Sequence, residues 1–341
     1  MGGLGLTLRL SLILLAIPLA GALYQWAGRK RDARSFPPPG RLVEIGGSRL
    51  HILSEGAGSP VVVFEAGIAA TSLSWRLVQP QIARLTQTAS YDRAWLGWSD
   101  AIAKPRGVEQ VVEELRALLD RAGLATPRIL VAHSYGGLVA RAYAARHPEE
   151  VAGMVLVDPV AAAEWADPSQ LQRRALRRGV RLSRRGALLA RIGVVRFALS
   201  LLTAGARSVP KLVARASAGR GMAFTERIVG EVGKLPREVW PMIQSHWCDP
   251  KCFEGMARYL EALPASAAAV TDHAGSTPVT VLSAGNASPA QRAEHQRLAE
   301  ASARGRIEIV PGSGHWIQLD RPDLVIRAIE EMIARYKEKN G

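Results

Sequence analysis

Apolar and polar residues follow one repeating arrangement along most of this chain. Short apolar runs end in glycine or a polar residue, and most are followed by a stretch with apolar residues at helical spacing. Consecutive apolar residues are typical of strands buried on both faces, and strands that alternate with helices form a mostly parallel sheet. The predicted strands are PVVVFEAG, TASYDRA, RILVAHS, VAGMVLVDP, TPVTVLSAG and RIEIVPGSG. The predicted fold class is therefore α/β.

Three further segments carry recognisable patterns. RLVEIGGSRLHILSEG alternates apolar and polar residues around Gly46-Gly47, which indicates a β-hairpin. SLSWRLVQPQIARL has helical spacing, and GVEQVVEELRALLDRAG is a strongly amphipathic helix. We therefore expect a hairpin before the first buried strand and helices after it.

The alternation of strands and helices stops in the middle of the chain. The residues there are rich in Arg, Ala and Leu at helical spacing, which predicts a helical cap over 161–276. The cap would be inserted between a first core part at 41–160 and a second at 277–341. Gly186 to Thr203, within the cap, is very apolar but contains two arginines. We expect it to lie on a membrane or over a pocket instead of spanning a bilayer.

The N-terminal segment is apolar and uncharged from Leu10 to Ala27, between Arg9 and GRKRDAR. This run just reaches spanning length, and basic residues cluster after it. We predict an uncleaved single-pass membrane anchor and a stiff proline-rich linker, SFPPPG, over 1–40, with the side of the membrane left open. The alternative is a cleaved signal peptide with AGA at 20–22 as its processing site.

Charge adds a second indication of a membrane. The 341 residues are 48% hydrophobic, and the formal net charge is +14. The excess is local, since residues 161–220 hold thirteen basic and two acidic residues and residues 1–40 hold five and one. Basic patches beside apolar runs fit an anionic membrane surface as a partner. Nucleic acid is not an expected partner, because no motif typical of nucleic-acid binding is present.

The two cysteines, Cys248 and Cys252, lie in HWCDPKCF. Their spacing matches neither a redox pair nor a zinc-binding set. Two interpretations remain open, a short disulfide in an oxidising compartment and two unpaired thiols. Neither a metal nor a cofactor is expected.

Ser134 lies between a predicted strand and a predicted helix in RILVAHSYGGLVARAYAARHP. A serine held outward on a tight strand-to-helix turn needs small neighbours, and Ala132, Gly136 and Gly137 supply them. The turn would also aim the amide of Tyr135 at an oxyanion formed on attack. This pattern is that of a nucleophile elbow, and the alternative is a serine that only caps the helix.

A serine nucleophile needs a base, and His315 is the favoured histidine. It lies in IVPGSGHWIQLDRPDLV, in a glycine loop between the last predicted strand and the last helix. His133 is expected to point away from the nucleophile and to pack. The histidines expected to have core or surface roles are His51, His147, His246, His273 and His295.

Together these motifs resemble the α/β-hydrolase fold superfamily, in its cap-bearing esterase, lipase and haloalkane-dehalogenase-like form. The resemblance rests on FEAGIAATSLSW, SYDRAWLGWSD, VAHSYGGLVARAYAARHP and GSGHWIQLDRPDLV. It implies that Ser134 is the nucleophile, that His315 is the general base, and that the amides of Tyr135 and Ile68 form the oxyanion hole. Trp95 departs from the family pattern, which often has a glycine there.

The family most often places the triad acid after the strand TPVTVLSAG, but the loop here has no carboxylate before Glu294. Some members place it after the preceding strand, where MVLVDP ends in Asp158. We assign Asp158 as the acid, and the alternative is that it only caps a turn before proline. Asp272 and Asp320 are disfavoured, the latter because it suits an N-cap of the last helix. The carboxylates expected to brace the loop after TASY are Asp92 and Asp100.

A serine nucleophile implies acyl transfer, in which an ester, thioester, amide or lactone forms an acyl-enzyme that water hydrolyses. Family members that open epoxides or displace halides use an aspartate at the elbow, so those reactions are disfavoured. The anchor and the arginine-rich cap suggest lipid-like acyl substrates near a bilayer. The alternatives are a non-catalytic membrane-tethered binding module and an aminopeptidase or acyltransferase on the same scaffold.

Overall fold

The computed structural model describes residues 2–203, 231, 233–271 and 275–340, with side chains for 16–201 and for the described residues of 231–339. Eight strands form one sheet in the order β1-β2-β4-β3-β5-β6-β7-β8. The pairs β1–β2 and β2–β4 are antiparallel, and all other neighbours are parallel. The strands are β1 Arg41–Ile45, β2 Ser48–Glu55, β3 Val61–Glu65, β4 Thr88–Tyr91, β5 Arg128–His133, β6 Val151–Val157, β7 Val279–Ala284 and β8 Gly305–Val310. The predicted mostly parallel sheet is confirmed.

Helices cover both faces of this sheet. The described helices are α1 Gly2–Ser35, α2 Gln79–Ile82, α3 Val108–Arg121, α4 Gly136–Arg146, α5 Ala162–Ala166, α6 Gln170–Arg191, α7 Val194–Thr203, α8 Trp240–Cys248, α9 Pro250–Ala268, α10 Pro289–Glu300, α11 Ile317–Asp320 and α12 Pro322–Asn340. One apolar core packs α3, α4 and α9 on one face of the sheet, and a second packs α2 and α12 on the other. The sheet is therefore buried on both sides, as its consecutive apolar strands require.

The hairpin is confirmed, and one predicted helix is corrected. Gly46 and Gly47 join β1 to β2 with φ of 59° and 85°, which glycine adopts without a steric penalty. SLSWRLVQPQIARL forms a short 3₁₀ helix, Ser72–Trp75, and the separate α2 instead of one helix. Pro80 lies in the first turn of α2, where its missing N–H costs no hydrogen bond, so a new helix starts there.

Helix α1 contains the predicted anchor and continues beyond it to Ser35. Within the part of the chain that the structure describes, no helix combines the length and the apolar character needed to cross a membrane. The side chains of 10–15, the first part of the predicted anchor, lie outside the described residues, and the anchor remains a prediction.

Between β6 and β7 the described chain is helical, from α5 to α9. Lys251, in the first turn of α9, donates hydrogen bonds to the carbonyl oxygens of Gly97 and Ser99 at 2.9 and 2.6 Å. This contact ties the helical segment to the loop after β4. Cys248 and Cys252 are buried free thiols, and burial raises their pKa values to about 11 and about 12. The unpaired interpretation of the two cysteines is therefore the one that the structure shows.

The parallel strands bring three loops to one edge of the sheet. β5, β6 and β8 run in the same direction, so the residues that follow their carboxyl ends lie at a common edge. Those residues include Ser134, Asp158 and His315.

Candidate active site

Ser134 lies on a sharp turn between β5 and α4 with φ of 53°, a left-handed conformation that costs a non-glycine residue free energy. A β-carbon on Gly136 would lie 2.7 Å from Glu65 Cγ, and one on Gly137 would lie 2.8 Å from Pro159 Cβ. The close approach of these neighbours explains why the turn needs small residues. Ser134 N–H donates to Val157 O at 3.1 Å, which attaches the turn to the adjacent strand.

His315 reaches Ser134 from the loop after β8. Its Nε2 lies 2.9 Å from Ser134 Oγ, and its Nδ1 lies 2.6 Å from Asp158 Oδ2. Because a carboxylate only accepts, Nδ1 carries the proton of the neutral ring and Nε2 is left to accept from the serine hydroxyl. The structure therefore brings together the three residues assigned as nucleophile, base and acid.

Asp158 follows β6 with φ of 43°. Its Oδ1 accepts a hydrogen bond from Ala284 N–H at 2.9 Å, so its two oxygens are held by β7 and by His315. Burial alone would raise the pKa of Asp158, but the hydrogen bond and charge of His315, with the Ala284 amide, hold that pKa below its usual value. The carboxyl group is thus an anion that orients the imidazole.

Asp320 supports the loop that carries His315. Its Oδ2 accepts from Gly314 N–H at 2.7 Å, and Lys234 pairs with its other oxygen. The expected N-cap of the last helix is wrong, since Asp320 ends α11 and α12 begins after it at Pro322. Asp272, the other disfavoured carboxylate, lies outside the described residues.

His133 packs beneath the site, as expected. It is buried, and its Nε2 lies 2.9 Å from the carbonyl oxygen of His315, to which it donates. Its ring also packs against the rings of His315 and Trp316, with centroids 4.7 and 5.1 Å apart. Burial, together with the nearby His315, lowers the pKa of His133 to about 3, so this residue stays neutral and fixes the loop.

The two predicted oxyanion donors lie in two turns next to the serine, since Tyr135 follows Ser134 and a β-carbon on Gly67 would lie 3.6 Å from Ser134 Cβ. Ile68 follows β3 and is half-buried, and Tyr135 follows Ser134 and is buried. Within the described residues, neither backbone N–H donates a hydrogen bond to another group of the chain. Both amides are therefore free to bind a developing negative charge.

Arg93 and Glu65 are parts of the site that the sequence reasoning missed. The buried Arg93 guanidinium donates to the carbonyl oxygen of Ala66 at 2.6 Å, to that of Gly67, and to Glu65. Its Cζ also lies 5.1 Å from the ring centroid of Tyr135. One side chain thus contacts both turns that carry the oxyanion amides. A lone carboxylate in the apolar run PVVVFEAG was a signal for this pair.

Asp92 and Asp100 brace the loop after β4, as expected. Asp92 is buried and accepts from the N–H groups of Ser72 and Trp98 at 2.8 and 3.0 Å. It also accepts from His51 Nδ1 at 3.0 Å, and Asp100 pairs with Arg49. Burial would lower the pKa of His51, but the charge and hydrogen bond of Asp92 raise it above its ordinary value, which favours the charged ring beside this carboxylate.

The described residues hold one group of side chains with the spacing of a metal site, away from the serine. His147, Glu149 and Glu150 offer ligand atoms within 4.8 Å of one another. Glu150 is already engaged by Arg116 and Arg128 at 2.8 and 2.9 Å. The group lies at the C-terminal end of α4, opposite the end that Ser134 precedes.

Parts of the chain are similar in sequence to curated proteins. A haloalkane dehalogenase of Sphingobium indicum is 32% identical over 133 residues, which cover 37% of this chain and 44% of that protein. Curated relatives from Bacillus subtilis and Schizosaccharomyces pombe are matched over only 42–46% of their own length.

Solved structures share the fold. A putative ancestral haloalkane dehalogenase superposes with a TM-score of 0.65 at 20% identity, over 87% of this chain and 99% of that one. A thermophilic esterase from Thermogutta terrifontis superposes with a TM-score of 0.55 at 19% identity, over the same shares. The family model described as "Alpha/beta hydrolase family" matches residues 62–328. With its parallel sheet and its serine elbow inside that match, the chain belongs to the alpha/beta hydrolase family.

Proposed function

We propose that this chain is a serine hydrolase that cleaves an ester-type bond (ester, thioester, lactone or amide) through an acyl-enzyme. The observation that carries the proposal is the relay from Ser134 Oγ to His315 Nε2 at 2.9 Å and from His315 Nδ1 to Asp158 at 2.6 Å. Such an arrangement activates a hydroxyl that is otherwise a weak nucleophile.

The first half of the reaction forms the acyl-enzyme. Ser134 Oγ attacks the carbonyl carbon while His315 Nε2 takes its proton. The negative charge moves to the former carbonyl oxygen, where the amides of Tyr135 and Ile68 donate to it. His315 then gives its proton to the leaving group as the carbon–heteroatom bond breaks.

The second half releases the acid. Water attacks the acyl carbon and gives its proton to His315 Nε2, and the collapse of the second oxyanion returns the proton to Ser134 Oγ. In both halves the anionic Asp158 stabilises the charged imidazole, which is why its depressed pKa matters.

A serine nucleophile does not suit the displacement of a halide. An oxygen nucleophile on serine that displaced a halide would form an alkyl ether, which water attack at a carbonyl carbon cannot release. The dehalogenase relative is therefore a guide to the fold and not to the reaction proposed here. The non-catalytic alternative rested on the missing carboxylate after β7, and the 2.6 Å contact of Asp158 with His315 Nδ1 supports the catalytic proposal against it.

The test is labelling of the full chain by a broad fluorophosphonate probe. We expect labelling of the wild-type chain and loss of labelling in Ser134→Ala. Ser288→Ala is the matched control, because Ser288 caps α10 and its replacement costs about 1 kcal/mol without touching the site. Absence of labelling in a folded wild-type sample, or equal labelling of both variants, would contradict the proposal.

A further inference from the structure

Exposed apolar side chains concentrate on one part of the described molecule. Eleven large hydrophobic side chains of the described residues are exposed, and eight of them lie in α1, α6 and α7. Ile17, Leu19 and Trp26 are exposed by 66%, 63% and 63%. The other five are Leu23, Tyr24, Leu171, Leu188 and Phe197. Scattered exposed apolar residues are ordinary, but their concentration in adjacent elements indicates an interaction surface.

Helix α1 is attached to the helices after β6 by buried polar contacts. Arg196 of α7 is 4% exposed, donates to Gln25 Oε1 at 2.9 Å and pairs with Asp32 at 2.7 Å. Gln25 Nε2 donates in turn to Cys248 O at 2.7 Å. These contacts fix which face of α1 is buried, and Trp26, next to Gln25, is left outside.

Helix α6 carries a stripe of arginines on its outer face. At 100° per residue, Arg174, Arg177, Arg181 and Arg185 share one face, opposite Ser183 and Ala187, which are buried. All four arginines are exposed, and no carboxylate in the described part of the chain pairs with them. The flanking arginines are different, because they form ion pairs: Arg173 with Asp167, Arg184 with Glu261 and Arg191 with Glu254.

We propose that this surface, made of the exposed apolar residues of α1, α6 and α7 and the α6 arginine stripe, binds an anionic phospholipid bilayer. Aliphatic and tryptophan side chains insert at the level of the headgroups, and unpaired arginines bind lipid phosphates. A nucleic-acid backbone would match the arginines but would leave the apolar residues in water. The combination therefore selects a lipid surface. The inference is independent of the proposed reaction, because none of these residues belongs to the site.

The experiment measures flotation of the full chain with vesicles of phosphatidylcholine, with and without phosphatidylglycerol. We expect binding that requires phosphatidylglycerol and weakens as salt is added. The variant R174Q/R177Q/R181Q/R185Q should lose about tenfold or more in affinity. The matched control is R84Q/R121Q/R304Q/R335Q, which removes the same charge at exposed positions elsewhere and should bind as the wild type does.

A second pair of variants tests the apolar residues. L23S/W26S should weaken vesicle binding, and L85S/I309S, which changes exposed apolar residues outside the surface, should not. Thermal melts of all four variants check that they fold. Ser134→Ala should bind vesicles as the wild type does, so a failure of the proposed reaction would not be mistaken for a failure of membrane binding.

Three outcomes would overturn the inference. The first is equal loss of binding in the stripe variant and its charge-matched control, which would indicate a general charge effect. The second is retention of every variant in vesicles after alkaline carbonate extraction, which would indicate a membrane-spanning anchor instead. The third is binding to duplex DNA without binding to anionic vesicles.

Discussion

At the scale of single residues, the site depends on backbone conformations that most side chains avoid. Ser134, Asp158 and Trp95 are the non-glycine residues with positive φ in the described chain. Ser134 and Asp158 belong to the proposed triad, and Trp95 stands where the family often has a glycine. Trp95 N–H donates to Asp100 O at 3.0 Å and its Nε1 to Ile102 O at 2.8 Å, so other residues of the loop after β4 hold its unusual conformation. Strain of this kind persists only where the surrounding contacts determine it.

Replacement of Asp158 by asparagine tests its role as the triad acid. The amide side chain would keep the shape of the carboxylate but would offer an N–H group to His315 Nδ1, so the imidazole would be held in the wrong tautomer. We expect kcat for an activated ester to fall by about 10³-fold or more, with little change in melting temperature. Asp323→Asn, at an exposed position paired with Arg321, should leave kcat unchanged. A fall of less than tenfold in Asp158→Asn would favour a Ser–His dyad.

Arg93 is expected to act on the reaction through the oxyanion turns that it holds. Arg93→Lys keeps the charge for Glu65 but cannot donate to Ala66 and Gly67 with the same geometry. A displacement of about 1 Å in the turn costs on the order of 100-fold in rate. We therefore expect kcat to fall by about that factor, with KM nearly unchanged and Arg93→Met worse than Arg93→Lys. A variant that loses stability but keeps its kcat would show that Arg93 only supports the fold.

At the scale of elements, the start of α4 is fixed by how closely β3 approaches it. A β-carbon on Gly136 would lie 2.7 Å from both the side chain and the backbone oxygen of Glu65. The elbow therefore depends on a neighbouring strand as well as on its own sequence. The N-terminus of α6 depends on local sequence alone, because Ser169 and Gln172, three residues apart, form a capping box there.

Gly136→Ala should destabilise the protein by about 1–3 kcal/mol, because the added carbon meets backbone that cannot move away. Gly107→Ala is the matched control, since its β-carbon would have no atom within 4 Å and its φ of −65° suits alanine. The free energy of unfolding of this control should fall by about 1 kcal/mol or less, because alanine is only a poorer N-cap residue than glycine. Urea unfolding of both variants gives the comparison, and equal losses would contradict the argument.

At the scale of the whole molecule, the helices after β6 meet the sheet domain through aromatic and basic side chains. His246 of α8 packs edge-on against Trp98, with ring centroids 4.4 Å apart, and Trp98 in turn contacts His51. Both nitrogens of the buried His246 have no partner in the described chain. Burial lowers the pKa of His246 to about 4, although Asp92 opposes that shift. Protonation would place a charge without a hydrogen-bond partner in this buried contact, so the contact is weaker when the ring is charged.

This contact predicts acid sensitivity. Because the folded pKa of His246 is about 4 and the unfolded value is about 6.5, unfolding takes up a proton as the pH falls between these values. The stability contributed by the neutral ring is complete above pH 6.5 and is lost towards pH 4, by about 3 kcal/mol. His246→Phe keeps the ring contact and cannot titrate. Its free energy of unfolding should fall less than that of the wild type over this range, and parallel curves would contradict the assignment.

Much of the site and of the fold is predictable from local patterns in the sequence. The small residues identified the turn of Ser134, and the glycine loop identified His315, because both signals lie within a few residues of the group that they place. The roles of Arg93 and Asp320 were missed. Arg93 acts on Ala66 and Gly67, far from it along the chain, and the pairing of Asp320 with Gly314 depends on how the loop folds back. Pro80 was a local signal for the break in the predicted helix, but the helical spacing of the apolar residues around it outweighed this signal in the prediction.

Local sequence patterns specify the order of strands and helices, the hairpin glycines and the strand-to-helix turn that holds Ser134. Each of these follows from short-range constraints: which residues bury together, which conformations glycine permits, and where a turn needs small side chains. Two contacts follow only from the folded arrangement, the hydrogen bond between Asp158 and His315 and the packing of α1 on α7 and α8. Both contacts join elements that are far apart along the chain, so the spacing of residues in the sequence does not give the distance between them in the fold.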